Sequence, residues 1–138
     1  MKLTTTLTLA SLLAVSLPAM AVMNASPSFA ASAAMLASLD PDHDGTVDLN
    51  EAKTAASALF DKLEKDKDGT LDAKELHGRV SAKEWAAADP DNDKTISKEE
   101  YLAYVEALFK QADPDNDGTL DAKELKSPAG RELTRLLK

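Results

Sequence analysis

The sequence contains no cysteine, and this absence excludes a framework of disulfide bonds even in an oxidising compartment. It also offers no group of residues that resembles a catalytic triad. Its two histidines, His43 and His77, are both expected to be solvated surface residues rather than bases or metal ligands. We therefore do not expect this protein to be an enzyme.

Basic residues are fewer than acidic ones: the chain of 138 residues contains 16 Lys and Arg and 24 Asp and Glu. Its net charge is −8. This negative balance makes nucleic acid and anionic membrane surfaces poor partners. Aromatic residues are also few, at 4%. A chain of this length is one domain, and its core is expected to be thin. That core would draw on the Leu, Phe and Ala of two central helices and on Trp85, Leu133, Leu136 and Leu137.

Long apolar runs are confined to the N-terminus, where LTLASLLAVSL follows Met1 and Lys2 and precedes the small-residue stretches AMA and SFA. We predict a secretory signal peptide over residues 1–30, cleaved after Ala21 or Ala30, with a retained N-terminal helix as the alternative. The run is too short for a membrane anchor. The mature chain is therefore expected to be exported without membrane insertion.

The acidic residues are concentrated in four segments of twelve residues, at 40–51, 64–75, 89–100 and 113–124, which we call loops 1 to 4. Loop 4 reads DPDNDGTLDAKE, with carboxylates at alternating positions around one glycine. Nineteen of the 24 acidic residues occupy such positions. Carboxylates close to one another raise each other's pKa, whereas a bound cation reverses this effect. The pattern therefore predicts four sites for a hard cation.

These positions match the EF-hand loop, which takes oxygen ligands from positions 1, 3, 5, 7, 9 and 12 and places glycine at position 6. An acidic surface turn, the simpler interpretation, does not require a match at every ligand position. The predicted metal ligands are Asp40, Asp42, Asp44, Thr46, Asp48 and Glu51 in loop 1; Glu64, Asp66, Asp68, Thr70, Asp72 and Glu75 in loop 2; Asp89, Asp91, Asp93, Thr95, Ser97 and Glu100 in loop 3; and Asp113, Asp115, Asp117, Thr119, Asp121 and Glu124 in loop 4.

Two of the loops depart from the pattern. Loop 2 begins with Glu64, whose extra methylene must be accommodated, and carries Lys65 at position 2, where the other loops have proline. Loop 3 carries Lys94 at the glycine position, where a positive φ is wanted, and Ser97 in place of the position-9 carboxylate. We therefore expect loop 3 to be the weakest site, loop 2 to be intermediate, and loops 1 and 4 to bind best.

The chain is an internal duplication, because DGTLDAKEL occurs both at 68–76 and at 117–125. We expect a single four-loop domain over residues 31–138, made of two repeats at about 35–80 and 81–138. Within each repeat the residues between the loops contain no Gly or Pro and place apolar residues at the 3.6-residue period of a helix. One helix is therefore expected to leave the first loop of a repeat and to enter the second.

The segment between the repeats predicts a reversal of the chain, since Gly78 stands at a helix-stop position and Ser81 opens a capping box. The predicted fold class is all-α: a compact helical bundle with four EF-hand loops, in which adjacent EF-hands share fused helices. The thin core further predicts that metal binding supplies much of the folding free energy. The reversal would pair loop 2 with loop 3 and loop 1 with loop 4, through Leu71 with Ile96 and through Val47 with Leu120.

The chain resembles the lanmodulins, periplasmic EF-hand lanthanide-binding proteins of methylotrophic bacteria. The residues that carry the resemblance are the Asp-Pro-Asp openings of loops 1, 3 and 4, the short spacers between loops, and the segments FDKL, KELHGRVS and SPAGREL. The resemblance implies tight binding of lanthanum, cerium and neodymium ions in preference to calcium, coupled to compaction of the chain. It also implies a periplasmic protein that serves lanthanide uptake or trafficking, either as a monomer or as a metal-dependent dimer.

The ligand pattern itself names a hard cation but not which one. Five carboxylates leave a divalent ion with a net charge of −3 and a trivalent ion with −2, and Coulomb attraction grows with ion charge. A periplasmic calcium buffer or sensor is the main alternative, because it needs the same ligands. An interaction module of the dockerin kind, in which calcium only shapes a binding face, is a further alternative.

Overall fold

The computed structural model describes residues 27–138, and helices dominate this part of the chain. The predicted signal peptide lies outside the described residues except for residues 27–30, which begin the first helix. Within the described range, no helix is both long and apolar enough to cross a membrane. In chain order the elements are α1 (Pro27–Leu39), β1 (Val47–Asp48), α2 (Leu49–Leu63), β2 (Thr70–Leu71), α3 (Ala82–Ala88), β3 (Ile96–Ser97), α4 (Lys98–Ala112), β4 (Thr119–Leu120), a 3₁₀ helix (Glu124–Lys126) and α5 (Pro128–Arg135).

The two long helices, α2 and α4, each join two loops, as the spacers without Gly or Pro predict. Each begins with a capping box, in which the side chain of Asp48 or Ser97 accepts a hydrogen bond from the N–H three residues later. The carboxylates of Glu51 and Glu100 accept from the cap N–H in return. The last predicted ligand of one loop and the first predicted ligand of the next are therefore attached to the same helix. The prediction of fused helices is confirmed.

The loops pair through two antiparallel bridges. Strand β1 pairs with β4, which sets Val47 opposite Leu120, and β2 pairs with β3, which sets Leu71 opposite Ile96. All four residues are buried. Loop 1 therefore lies beside loop 4 and loop 2 beside loop 3, as predicted, and helices α2 and α4 pack together in opposite directions.

The chain reverses between loop 2 and α3. His77 and Gly78 both adopt positive φ, at 46° and 69°, and Ser81 caps α3 with a box that Glu84 completes. The residues just before Gly78 form consecutive turns rather than an α-helix. The predicted reversal is confirmed, whereas the prediction of a helix ending at Gly78 is wrong.

The core lies between α2 and α4 and is closed by the C-terminal segment. Phe60 and Tyr101 meet edge to face with ring centroids 5.6 Å apart. The Tyr101 hydroxyl donates to the carbonyl oxygen of Leu136 at 2.8 Å, which ties α4 to the end of the chain. Leu133, Leu136 and Leu137 are buried as predicted, and Trp85 packs partly buried against the same core.

Ion pairs align the two long helices at the surface. Lys53 on α2 contacts Glu106 on α4 at 2.6 Å, and Lys98 on α4 contacts Asp61 on α2 at 2.7 Å. Hydrogen bonds from Lys110 and Lys53 lower the pKa of Glu106 to about 2. Because exposed ion pairs are screened by water, these contacts guide helix alignment more than they stabilise the fold.

Candidate metal centres

Carboxylate oxygens converge in all four loops. In loops 1, 3 and 4, one oxygen from each of positions 1, 3 and 12 lies within 4.8 Å of the others. In loop 2 the cluster comes from positions 1, 3 and 5, and Glu75 at position 12 is not part of it. Half of the predicted ligands are thus brought together. They are Asp40, Asp42 and Glu51; Glu64, Asp66 and Asp68; Asp89, Asp91 and Glu100; and Asp113, Asp115 and Glu124.

The residues at positions 5 and 7 bind each other in every loop. Thr119 donates to Asp117 Oδ1 from both its N–H and its hydroxyl, each at 2.8 Å. The Asp117 N–H donates in turn to Asp115 Oδ1 at 3.3 Å. These are the local bonds that favour Asp and Thr in turns, and they order the loop from within. The equivalent pairs are Asp44 with Thr46, Asp68 with Thr70, and Asp93 with Thr95.

Position 9, predicted as a ligand, caps the following turn in all four loops and lies outside the carboxylate clusters. In loop 1 the Asp48 carboxylate accepts a hydrogen bond from the Glu51 N–H at 2.7 Å. In loop 3 the Ser97 hydroxyl accepts the equivalent bond from the Glu100 N–H at 3.3 Å. Asp72 and Asp121 make the same bond. Ser97 therefore performs the capping function of the aspartate that it replaces.

Three loops contain a buried carboxylate oxygen that no described residue hydrogen-bonds: Glu51 Oε1, Asp89 Oδ1 and Asp113 Oδ1. Each of these residues belongs to the cluster of its loop. The second oxygen of each carboxylate accepts a backbone N–H, but an acceptor that is buried without a partner is unfavourable unless a cation compensates it. The orphaned oxygens and the all-oxygen donor set therefore fit a hard divalent or trivalent metal ion.

The pKa values in the clusters reflect the same crowding. Burial raises the pKa of Glu51 and of Glu124, and neighbouring carboxylates add to this effect while a backbone N–H opposes it. Burial also acts on Asp40, but hydrogen bonds from Gly45 and adjoining N–H groups outweigh it and lower the pKa of Asp40. The position-12 glutamates of loops 1 and 4 are thus carboxylates whose negative charge the folded loop disfavours, and a cation would relieve this.

Two positions in each loop adopt positive φ, although the sequence predicts only one. Position 6 does so as predicted, with φ of +88° at Gly118 and +74° at Lys94. Position 4 is the second position with positive φ. The asparagines found there in loops 3 and 4 are a sequence signal for it, because Asn tolerates the left-handed region better than most residues. The position-4 residues with positive φ are His43, Lys67, Asn92 and Asn116.

Replacing Lys94 with glycine is expected to stabilise loop 3. The positive φ of Lys94 costs a residue with a Cβ about 1 kcal/mol, so Lys94→Gly should raise the free energy of unfolding by about that amount. Thermal denaturation measures the change. Lys94→Gln keeps the Cβ and should gain little, and Gly118→Lys should produce the matching loss in loop 4. Equal gains from the glycine and glutamine variants would show that charge, not backbone strain, is responsible.

Trp85 contacts the loop 3 site directly. Its indole Nε1–H donates to Asp89 Oδ2 at 3.2 Å, and the Lys94 N–H donates to the same oxygen at 3.2 Å. The sequence carries a signal for this contact, since residues four apart on a helix are neighbours. The indole is therefore positioned to sensitise emission from a luminescent lanthanide such as terbium in loop 3.

The EF hand family model matches residues 105–127. This segment runs from the second half of α4 through loop 4 to just past the 3₁₀ helix, so it covers a loop with every predicted ligand residue. No curated protein matches the chain. Together with the four carboxylate clusters, the match supports an EF-hand protein that binds metal ions.

Proposed function

We propose that this protein binds trivalent lanthanide ions in preference to calcium and serves their uptake or trafficking. The observation that carries the proposal is the buried, unpartnered carboxylate oxygen of Glu51, Asp89 and Asp113, each in a cluster of three carboxylates. No hydrogen bond from a described residue compensates these oxygens, so compensation falls to the ion. An ion of higher charge compensates the negative charge of these carboxylates more strongly.

The number of acidic residues supports the same choice of ion. Loops 1, 2 and 4 each carry five, which leave a net charge of −3 around a divalent ion and −2 around a trivalent one. Because Coulomb attraction is proportional to the ion charge, the trivalent ion gains more from each carboxylate. Lanthanide ions combine that charge with a preference for oxygen ligands and a radius close to that of calcium.

A calcium buffer or sensor is the second candidate, because the ligand positions are those of calcium loops. A titration with La³⁺ in a large excess of Ca²⁺, followed by circular dichroism, separates the two. We expect La³⁺ to saturate the loops at concentrations near that of the protein. If calcium instead competes at comparable concentration, the calcium function is the correct one.

A matched pair of variants shows where the ions bind. Glu51→Gln together with Glu124→Gln removes the position-12 carboxylates of loops 1 and 4. Each of these glutamates belongs to the cluster of its own loop, and the two loops pair through β1 and β4. This double variant should lose two equivalents of tight La³⁺ binding. Glu99→Gln with Glu132→Gln removes the same charge outside the ligand positions and should lose none.

We also propose that the protein is exported to the periplasm, which the signal-like pattern of residues 1–30 supports. Mass spectrometry of the protein recovered from the periplasmic fraction would identify its first residue. A start just after Ala21 or Ala30 is expected, whereas an uncleaved chain in the cytosol would contradict the proposal.

A further inference from the structure

We propose that the backbone N–H of Lys65 withdraws Glu75 from the loop 2 site and makes loop 2 the weakest of the four. This inference rests on the proposed metal binding, though not on the identity of the ion. The Lys65 N–H donates to Glu75 Oε1 at 2.7 Å, and the Asp72 N–H donates to Glu75 Oε2 at 3.3 Å. Both carboxylate oxygens of the position-12 residue are therefore bound to the backbone, and Glu75 is absent from the cluster of its loop.

The other three loops cannot form the bond that Lys65 makes, because their second residue is proline and proline has no N–H. There the position-12 glutamate accepts the position-9 N–H through Oε2 and still contributes an oxygen to the cluster. The contrast assigns a physical role to the proline, which is to remove a donor that competes with the metal ion. The prolines and glutamates concerned are Pro41 with Glu51, Pro90 with Glu100, and Pro114 with Glu124.

Loop 2 also differs at position 1, and this difference is the rival explanation. Glu64 is half-buried, whereas the aspartates at position 1 of the other loops are only 3–6% exposed. The Gly69 N–H reaches Glu64 Oε1 at 3.4 Å, compared with 2.9 Å from Gly45 to Asp40. The extra methylene of Glu64 could thus displace the cluster by itself, and an experiment must separate it from Lys65.

Loop 3, which the sequence ranks last, keeps the features that loop 2 loses. Its position-12 glutamate remains in the cluster, and Ser97 supplies the cap that aspartate supplies elsewhere. Its remaining defects are the positive φ and positive charge of Lys94 and the absence of a fifth carboxylate at the ligand positions, none of which removes an oxygen from its cluster. Loop 2 therefore falls below loop 3 in affinity.

The substitution Lys65→Pro isolates the N–H. The preceding residue, Glu64, has φ −66° and ψ 107°, an extended conformation that a following proline favours. Helix α2 is unaffected, because its last bond runs from the Glu64 N–H to the Phe60 carbonyl oxygen at 2.9 Å. Lys65→Ala is the matched control, since it removes the charged side chain and retains the N–H.

The test is a chelator-buffered titration of the full chain with La³⁺, in which ¹H–¹⁵N NMR spectra follow the position-6 amide of each loop. These amides donate to the position-1 carboxylate, as Gly69 does to Glu64, and so report the occupancy of their own loop. Gly69 should respond last in the wild-type protein. Lys65→Pro should raise the loop 2 affinity roughly tenfold, as expected when a competing bond to a charged group is removed. Lys65→Ala should leave it near the wild-type value.

Two results would overturn the inference. An equal gain in Lys65→Pro and Lys65→Ala would assign the effect to the lysine charge, and a gain in Glu64→Asp without one in Lys65→Pro would assign it to the longer side chain. The La³⁺ responses of Gly45 and Gly118 should be unchanged by Lys65→Pro, whereas a merely structural stabilisation of the fold by proline would strengthen binding in the other loops as well. Repeating the titration with Ca²⁺ keeps this result separate from ion selectivity, because the gain should appear with both ions even if the preference for La³⁺ is absent.

Discussion

Removing the metal ions with a chelator is expected to abolish most of the helical circular dichroism signal, and about one La³⁺ per loop should restore it. The metal-free fold must hold the uncompensated buried oxygens of Glu51, Asp89 and Asp113. A buried acceptor left without a partner costs about 1–3 kcal/mol, and more when it is charged, while a whole domain is stable by only about 5–15 kcal/mol. The three oxygens together therefore cost an amount comparable to the stability of a marginal domain. Calcium, with its lower charge, should restore the signal only at higher concentration.

Neutralising the same three residues provides the control. The triple variant Glu51→Gln, Asp89→Asn and Asp113→Asn should be more helical than the wild-type protein without metal and should bind La³⁺ more weakly. These opposite changes follow only if charge compensation couples folding to binding. A metal-free wild-type protein with full helicity, or a triple variant that is less helical than wild type, would contradict the expectation.

The pairing of the loops could be predicted from the sequence because it depends on spacing. Position 8 keeps a constant relation to the ligands, so the opposition of Leu71 with Ile96 and of Val47 with Leu120 follows once the chain reverses near Gly78. The reversal has a strong local signal in the glycine and the capping box. The helix expected before Gly78 has only a weak local signal, because a few residues of good helix propensity do not overcome the cost of helix nucleation.

The roles of individual positions within the loops could not be predicted, because they depend on side-chain conformation. A carboxylate at position 9, such as Asp121, satisfies the ligand pattern and the capping box equally well. The bond from Lys65 to Glu75 joins residues ten apart and exists only when the loop is folded. The sequence therefore predicts a set of ligands for each loop, while the structure shows which of their carboxylates lie close to one another.

The glycine inside α5 is a further feature that only the tertiary structure explains. Gly130 lies against the 3₁₀ helix, and a Cβ at this position would lie 2.3 Å from the Glu124 carbonyl oxygen and 2.7 Å from Leu125 Cα. Both are backbone atoms, so no side-chain rotation relieves the contact. Glu124 is the position-12 residue of loop 4, and the close packing at Gly130 therefore bears on the backbone that carries a clustered carboxylate.

Gly130→Ala is expected to destabilise the protein and weaken loop 4, although helix propensity alone predicts the opposite sign. Alanine favours a helix by about 1 kcal/mol over glycine, whereas forcing extra volume into a packed site costs about 1–3 kcal/mol, and here the contact is with backbone. We expect the free energy of unfolding in urea to fall by about 1–2 kcal/mol, and the Gly118 amide to respond to La³⁺ at higher concentration. Arg131→Ala, at an exposed position of the same helix, should change neither quantity. A more stable Gly130→Ala protein would show that α5 can move away without disturbing Glu124.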